Sequence, residues 1–379
     1  MEEDIKKNNT GGVKFKTLDA VRALATMMVF IFHAGYLLPS FINQSNKFGL
    51  GKFIYVGGTV GVSVFFVLSG FLLFYQLYKK KEGLDAEKVK DYTRKRLLRI
   101  LPLYYFSLFF IVFVFKRDMI FAQDGLRSII YNLFFIRGIK GANGGGTITI
   151  NPVYWSLIVE MHFYFFLPIF YYIFNKYKKV SLFFILALLG ILYRIIIVTK
   201  LGNPSMQLLR FTPANFDFFA FGMLGAYLYV NHSKLLNFLG KAHSQIICLS
   251  VFLLFIYFYD LDFLPTLSYI FAATLLGIIT ILCILSFLSN EQSFLGKLFT
   301  STPVLFVGKI SFSIFIWHTV VINQFGGTAL SSATQFILDA FVTLVVSTIS
   351  YYAIEAPFLK LKSKFDSRAK KLMLTDSVF

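Results

Sequence analysis

Arg22 and His33 are the two groups out of place in residues 18–38, LDAVRALATMMVFIFHAGYLL, an otherwise apolar run. They are eleven residues apart, close to three helical turns, so both project from one face, ~16 Å apart along the axis. A guanidinium makes planar, bidentate contacts to phosphate. An imidazole titrates near neutrality and can accept a proton from a reacting group. A run of ~21 residues is long enough to cross the ~30 Å hydrocarbon layer. A cation and an imidazole on one face of such a span point to a lined path rather than a lipid contact.

Other spans carry groups of the same kind. Glu160 and His162 lie in YWSLIVEMHFY, Asp217 in FDFFAFG and His318 in ISFSIFIWHTV. With a 1.5 Å rise per residue, His33 and Glu160 are expected at similar heights in the outer half of the bilayer, with His318 nearby. An ionised carboxylate in hydrocarbon needs a partner or water, so the economical arrangement is a polar pocket. In it a carboxylate orients an imidazole that works as a general base. At the inner end, Arg94, Arg96 and Arg99 precede an apolar run, with Arg96 and Arg99 on one face at i, i+3. With Arg22 they suit a phosphorylated cytosolic ligand. Each group also has a plainer role: the arginines as topology signals, Asp217 paired with Arg210, His318 packed beside Trp317, and His162 on the face of its helix away from Glu160.

The elements that must position these groups are membrane helices. The chain of 379 residues is 57% hydrophobic and 15% charged, against about 25% charged in soluble domains. A net charge of +18 argues for nucleic acid only if the charges form a patch. Here they sit in short loops beside apolar runs, where they set topology and meet anionic headgroups, so no nucleic-acid partner is expected. Cys248 and Cys283 lie inside apolar runs and suggest neither a disulfide framework nor a zinc site; no metal is expected. The polar start, MEEDIKKNNTGGVKFKT, leads into an uncleaved first span rather than a signal peptide.

Hydropathy predicts an all-α polytopic bundle of ten spans, near 18–38, 57–78, 100–115, 153–174, 180–198, 211–230, 245–259, 265–289, 303–322 and 335–354. Residues 1–379 read as one integral-membrane domain, with cytoplasmic tails at 1–17 and 355–379. The bias of Lys and Arg toward one set of loops supports that orientation. The glycine-rich GIKGANGGGTITINP reads as an irregular loop. No internal repeat is visible, which weakens a transporter built from inverted halves.

Five segments in order resemble the type-3 acyltransferases, ten-span membrane proteins that move acyl, usually acetyl, groups onto carbohydrates and other acceptors. They are LDAVRALATMMVFIFH, with Arg22 and His33 on the family's Arg-x10-His; GVSVFFVLSGFLL; RKRLLRILPLYY, with Arg96 and Arg99 on its Arg-x-x-Arg; WSLIVEMHFYFFLP, with Glu160 on its acidic position; and SFSIFIWH followed by IEAPFLKL. Many members place a proline soon after the histidine of the ninth span, where this chain has Thr319 and Val320. The extra esterase-like domain of some members is not expected here.

The resemblance implies acetyl-CoA as donor, with its phosphates against Arg96, Arg99 and Arg22 and its thioester beside His33. It also implies a hydroxyl acceptor on a cell-surface or lipid-linked glycan. His33 would be the base, oriented by Glu160 or another acid; an acyl-enzyme through His33 or Ser156 is the other route. Asp19, Ser156, Trp155, Asp217, Arg210, His318 and His162 complete the candidate set. The expected location is the cell membrane, the cytoplasmic one in a bacterium. The competing reading is a secondary transporter or glycan flippase, with His33, Glu160 and Asp217 as a proton relay; a non-catalytic scaffold ranks last.

Overall fold

A computed structural model describes residues 15–35, 50–79, 85–136, 148–201, 206–258, 265–325 and 331–361. Among them there is no strand; the chain is an all-α membrane bundle. Ten helices carry the architecture: α1 (Lys16–Gly35), α2 (Leu50–Tyr78), α3 (Ala86–Phe110), α4 (Tyr154–Tyr177), α5 (Ser181–Leu201), α6 (Phe216–Asn231), α7 (Ala242–Phe258), α8 (Pro265–Ser289), α9 (Ser311–Phe325) and α10 (Ser332–Ser350). Seven stretches among the described residues are long and apolar enough to cross a membrane. Two bent pairs, Ser233–Leu239 with α7 and Thr302–Lys309 with α9, raise the number to nine. The remaining expected span, near 211–230, is a 3-10 turn at Pro213–Asn215 followed by α6. At 16 residues, α6 reaches ~24 Å, short of the hydrocarbon thickness. Of the expected loop at 137–152 and the expected tails at 1–17 and 355–379, residues 137–147, 1–14 and 362–379 lie outside the described residues.

The core is organised on α2, flanked by α1 and α6. Small residues make that approach possible, as membrane helices associate by close packing rather than by hydrophobic burial. A Cβ on Gly222 of α6 would stand 2.2 Å from the Val67 carbonyl oxygen of α2, and one on Gly70 would stand 2.4 Å from the Phe219 carbonyl oxygen. The helices therefore touch backbone to backbone. Aromatic rings fill the space beside them, with Phe163 and Phe219 stacked at 3.9 Å between centroids.

Two irregularities position the site. Helix α9 follows Thr302–Lys309 with a 73° bend, which sets its N-terminus inside the bundle. Before α4 the chain is already buried at Ile150, Asn151, Val153 and Tyr154. Asn151 ties this segment to α9: its Nδ2 donates to the Ile316 carbonyl (3.0 Å) and its Oδ1 accepts from Thr319 (2.8 Å). Helix α4 thus starts at the depth of the middle of α9, not at the membrane edge.

Candidate active site

Arg22 and His33 both stand on α1, as their spacing requires. Arg22 donates to Asp19 one turn earlier (2.7 Å). The first turn of α1 is pressed against Thr302–Lys309, where a Cβ on Gly308 would stand 2.1 Å from the Asp19 carbonyl oxygen. From α3 come Arg96, whose guanidinium donates to Gln76 (2.5 Å), and Arg99. Arg22, Arg96, Arg99 and Glu160 line one cavity between α1, α2, α3, α4 and α9. Ser156 and Tyr164 from α4, Ser69 from α2 and Ser311 from the start of α9 share its wall. A helix N-terminus there adds partial positive charge.

The cavity wall is incompletely hydrogen-bonded among the described residues. Glu160 accepts hydrogen bonds from Ser69 (2.5 Å) and Tyr164 (2.6 Å). Arg96 is 6% exposed, and its Nε has no hydrogen-bond partner among the described residues. Glu355, buried in the π turn Tyr351–Glu355 after α10 and bonded to Ser313 (3.1 Å), lies within electrostatic reach of Arg99 and Arg22. Asp19 on Arg22, with Glu160 and Glu355 near the others, balances the three guanidiniums in charge, but Arg96 Nε is left as an orphan N–H donor among the described residues. A buried donor without a partner costs roughly 1–3 kcal/mol, and an anion supplies the acceptor.

His33 is not part of that wall. Glu160 was expected at its height, but the buried start of α4 carries the carboxylate down to the arginines. His33 instead meets His318. The His318 Nδ1 lies 3.0 Å from the Ile314 carbonyl, and its Nε2 lies 3.2 Å from His33 Nδ1, which also lies 2.9 Å from the Val29 carbonyl. Carbonyl oxygens only accept. His318 Nδ1 therefore carries the proton, its Nε2 is an acceptor, and His33 Nδ1–H is shared between Val29 and His318. The remaining nitrogen, His33 Nε2, keeps its lone pair. Between this pair and the cavity stand Phe65 and Phe315, 5.7 Å apart, with Phe315 6.0 Å from the His318 ring.

The other candidates divide clearly. Asp217 pairs with Arg194 (2.7 Å), not with Arg210, and Thr274 donates to the same carboxylate (2.7 Å). Arg194 also donates to the Ile270 and Ala214 carbonyls. Arg210 stands over the Trp155 ring at 5.2 Å. His162 bonds Thr212 (2.7 Å) and the Phe135 carbonyl (2.9 Å), tying a loop residue with positive φ to α4. Ser156 donates to the Val153 carbonyl (2.9 Å). Sequence reasoning passed over Asn151, Ser69, Tyr164 and Arg194; of these only Arg194, a cation inside an apolar run, carried a signal by itself.

Comparison with known proteins places the chain in a family. Residues 15–355 match the acyltransferase-3 family model, described as "Acyltransferase domain". The chain belongs to that family. Among its curated relatives are the "Peptidoglycan O-acetyltransferase OatA" of Listeria monocytogenes, 27% identical over 91% of this chain and 56% of that protein, and a "Putative O-acetyltransferase" of Staphylococcus aureus (strain COL), 26% identical over 90% of this chain and 57% of that one. The chain spans little more than half the length of these relatives. No solved structure matches it. The Arg-x10-His and Arg-x-x-Arg residues of this acyltransferase chain supply one face of the cavity and one member of the histidine pair.

Proposed function

We propose that this chain is a membrane O-acetyltransferase that takes acetyl from cytosolic acetyl-CoA and passes it to a hydroxyl of a cell-surface or lipid-linked glycan, in a bacterium at the cytoplasmic membrane. The observation that carries the reading is that one helix joins two unlike sites. The N-terminal part of α1 contributes Arg22 to a cavity with an unsatisfied arginine donor, and ~16 Å along it holds an imidazole whose Nε2 has no partner among the described residues. The cavity suits the phosphates of the donor, with Arg96 and Arg99 as their principal partners. An extended thiol-bearing arm then follows α1 past Phe65 and Phe315 toward His33.

At that point the acceptor hydroxyl gives its proton to His33 Nε2 as its oxygen attacks the thioester carbonyl. The tetrahedral intermediate collapses, the C–S bond breaks, and the leaving thiolate takes the proton back from the imidazolium. His318 orients His33 and accepts from its Nδ1–H while the ring is charged, the role first expected of Glu160. Glu160 belongs with the arginines as their counter-charge. Direct transfer needs no acyl-enzyme, and the Ser156 hydroxyl donates to its own helix turn, at the Val153 carbonyl.

The transporter reading required Asp217 in a proton relay, but its carboxylate is already fully occupied by Arg194 and Thr274. The glycan assignment is supported by the Listeria relative, which is named for peptidoglycan. The test is acetyl transfer to muropeptides in lipid nanodiscs, with thiol release followed continuously. His33→Ala is expected to lower turnover by about 10²–10⁴-fold, the usual range for a lost general base. Undiminished transfer by a folded variant would remove His33 from the mechanism.

A further inference from the structure

Helix α10 is built inside out relative to a soluble helix. Its exposed side chains include Ile337, Phe341, Leu344, Val345 and Ile349, a face suited to lipid. Its buried side chains between 333 and 350 are Gln335, Asp339, Thr343, Ser347 and Ser350, all polar and at most 6% exposed. Their spacing of four, four, four and three residues puts them on one stripe. Gln335 donates to Asp339 Oδ1 (2.9 Å), and Ser350 accepts from the Trp317 indole (2.9 Å). Between them, Asp339 Oδ2, Thr343 Oγ1 and Ser347 Oγ are buried with no hydrogen-bond partner among the described residues.

Three consecutive turns of unpartnered oxygen are costly in a membrane span, roughly 1–3 kcal/mol for each group, and intramembrane polar residues mark substrate paths. The stripe also borders the histidine pair. Ser350 holds Trp317, the residue before His318, and Phe336 beside the stripe meets Phe30 (5.7 Å), which in turn meets His318 (6.4 Å). Neither end touches the arginine cavity wall.

We propose that the stripe Asp339–Thr343–Ser347 is the track along which the hydroxyl-bearing acceptor reaches His33, and that its ligand is a neutral polyhydroxyl chain, a saccharide. The chemistry selects that class. Two side-chain hydroxyls and one carboxylate oxygen pair with successive sugar hydroxyls. The carboxylate and the absence of a cationic side chain on the stripe disfavour an anionic ligand. This assignment rests on the acyl-transfer reading and deepens it by separating the acceptor's route from the donor's.

The experiment introduces cysteine singly as T343C and S347C in the full chain, with F341C on the lipid face as control, after replacing Cys248 and Cys283 by Ala. Reaction with a charged, water-soluble methanethiosulfonate is followed in nanodiscs, with and without neutral N-acetylglucosamine oligosaccharides. T343C and S347C are expected to react at least tenfold faster than F341C and to be protected several-fold by saccharide but not by coenzyme A. Thr343→Val is expected to raise the acceptor KM about tenfold and leave the acetyl-CoA KM unchanged. Unreactive cysteines in variants that still transfer acetyl would show a dry helix seam and overturn the proposal. Reactive cysteines that saccharide does not protect would show a water column only and overturn it equally. The labelling arms do not depend on turnover, so they remain decisive in a His33→Ala background, where failure of the base assignment is read separately.

Discussion

Two places in this bundle bury arginine beside carboxylate, and they are opposites. In one, Arg194 (2% exposed) and Asp217 (0% exposed) are locked together with Thr274, two backbone carbonyls and no spare donor. In the other, Arg22, Arg96 and Arg99 surround a cavity, Glu160 is held by neutral hydroxyls, and Arg96 Nε is left without a partner. Charge inside a membrane is costly in both. The first site recovers that cost internally and fastens α5, α6 and α8. The second leaves a buried donor unsatisfied among the described residues, which a bound anion would satisfy. Intramembrane charge alone therefore does not mark function here; incomplete satisfaction does.

Disabling each site should give different failures. The largest effect is expected at the closed pair. Asp217→Asn leaves a buried guanidinium uncompensated, a loss of about 3–5 kcal/mol, seen as a lower thermal midpoint and poor yield in detergent. Arg194→Met combined with Asp217→Leu should be more stable than either single change, because no buried charge is then left alone. At the open site, Arg99→Gln should leave the thermal midpoint within a few degrees. It should weaken acetyl-CoA binding by about 10–100-fold, the weight of a charge-assisted hydrogen bond of about 1.5–3 kcal/mol. Tyr164→Phe removes one of two donors to Glu160 and is expected to cost about 1 kcal/mol, a several-fold rise in the acetyl-CoA KM with turnover at saturation unchanged. A Tyr164→Phe variant that unfolds instead would place Glu160 with the closed pair and erase the contrast.

Much of this was legible in the amino-acid order, because apolar length and helical period are local. The eleven-residue spacing of Arg22 and His33 put both on one helix face, and the i, i+3 pair Arg96 and Arg99 falls on one cavity wall. What was not legible depends on where helices begin and bend. Glu160 was placed by counting from the membrane edge, but Asn151 holds the preceding segment at the depth of α9. The carboxylate therefore lies lower, beside the arginines. Asp217 was paired with Arg210, near in sequence, whereas its partner Arg194 on α5 is brought close by the packing of α5 against α6. The contact of His33 with His318 spans 285 residues and follows from the bend before α9. The buried polar face of α10 was hidden because its exposed face carries enough Ile, Phe, Leu and Val to make the whole helix read as an ordinary span.

The central claim is that α1 joins two separable functions, donor binding around Arg22 and proton transfer at His33. It is tested most directly by measuring acetyl-CoA affinity by calorimetry and single-turnover acetyl transfer on the same nanodisc preparations of wild type, Arg99→Gln and His33→Gln. The account predicts that His33→Gln keeps the affinity within about twofold and loses transfer by about 100-fold or more, whereas Arg99→Gln loses affinity and transfers normally once saturated. Equal losses of binding and transfer in both variants, or wild-type transfer by His33→Gln, would contradict it.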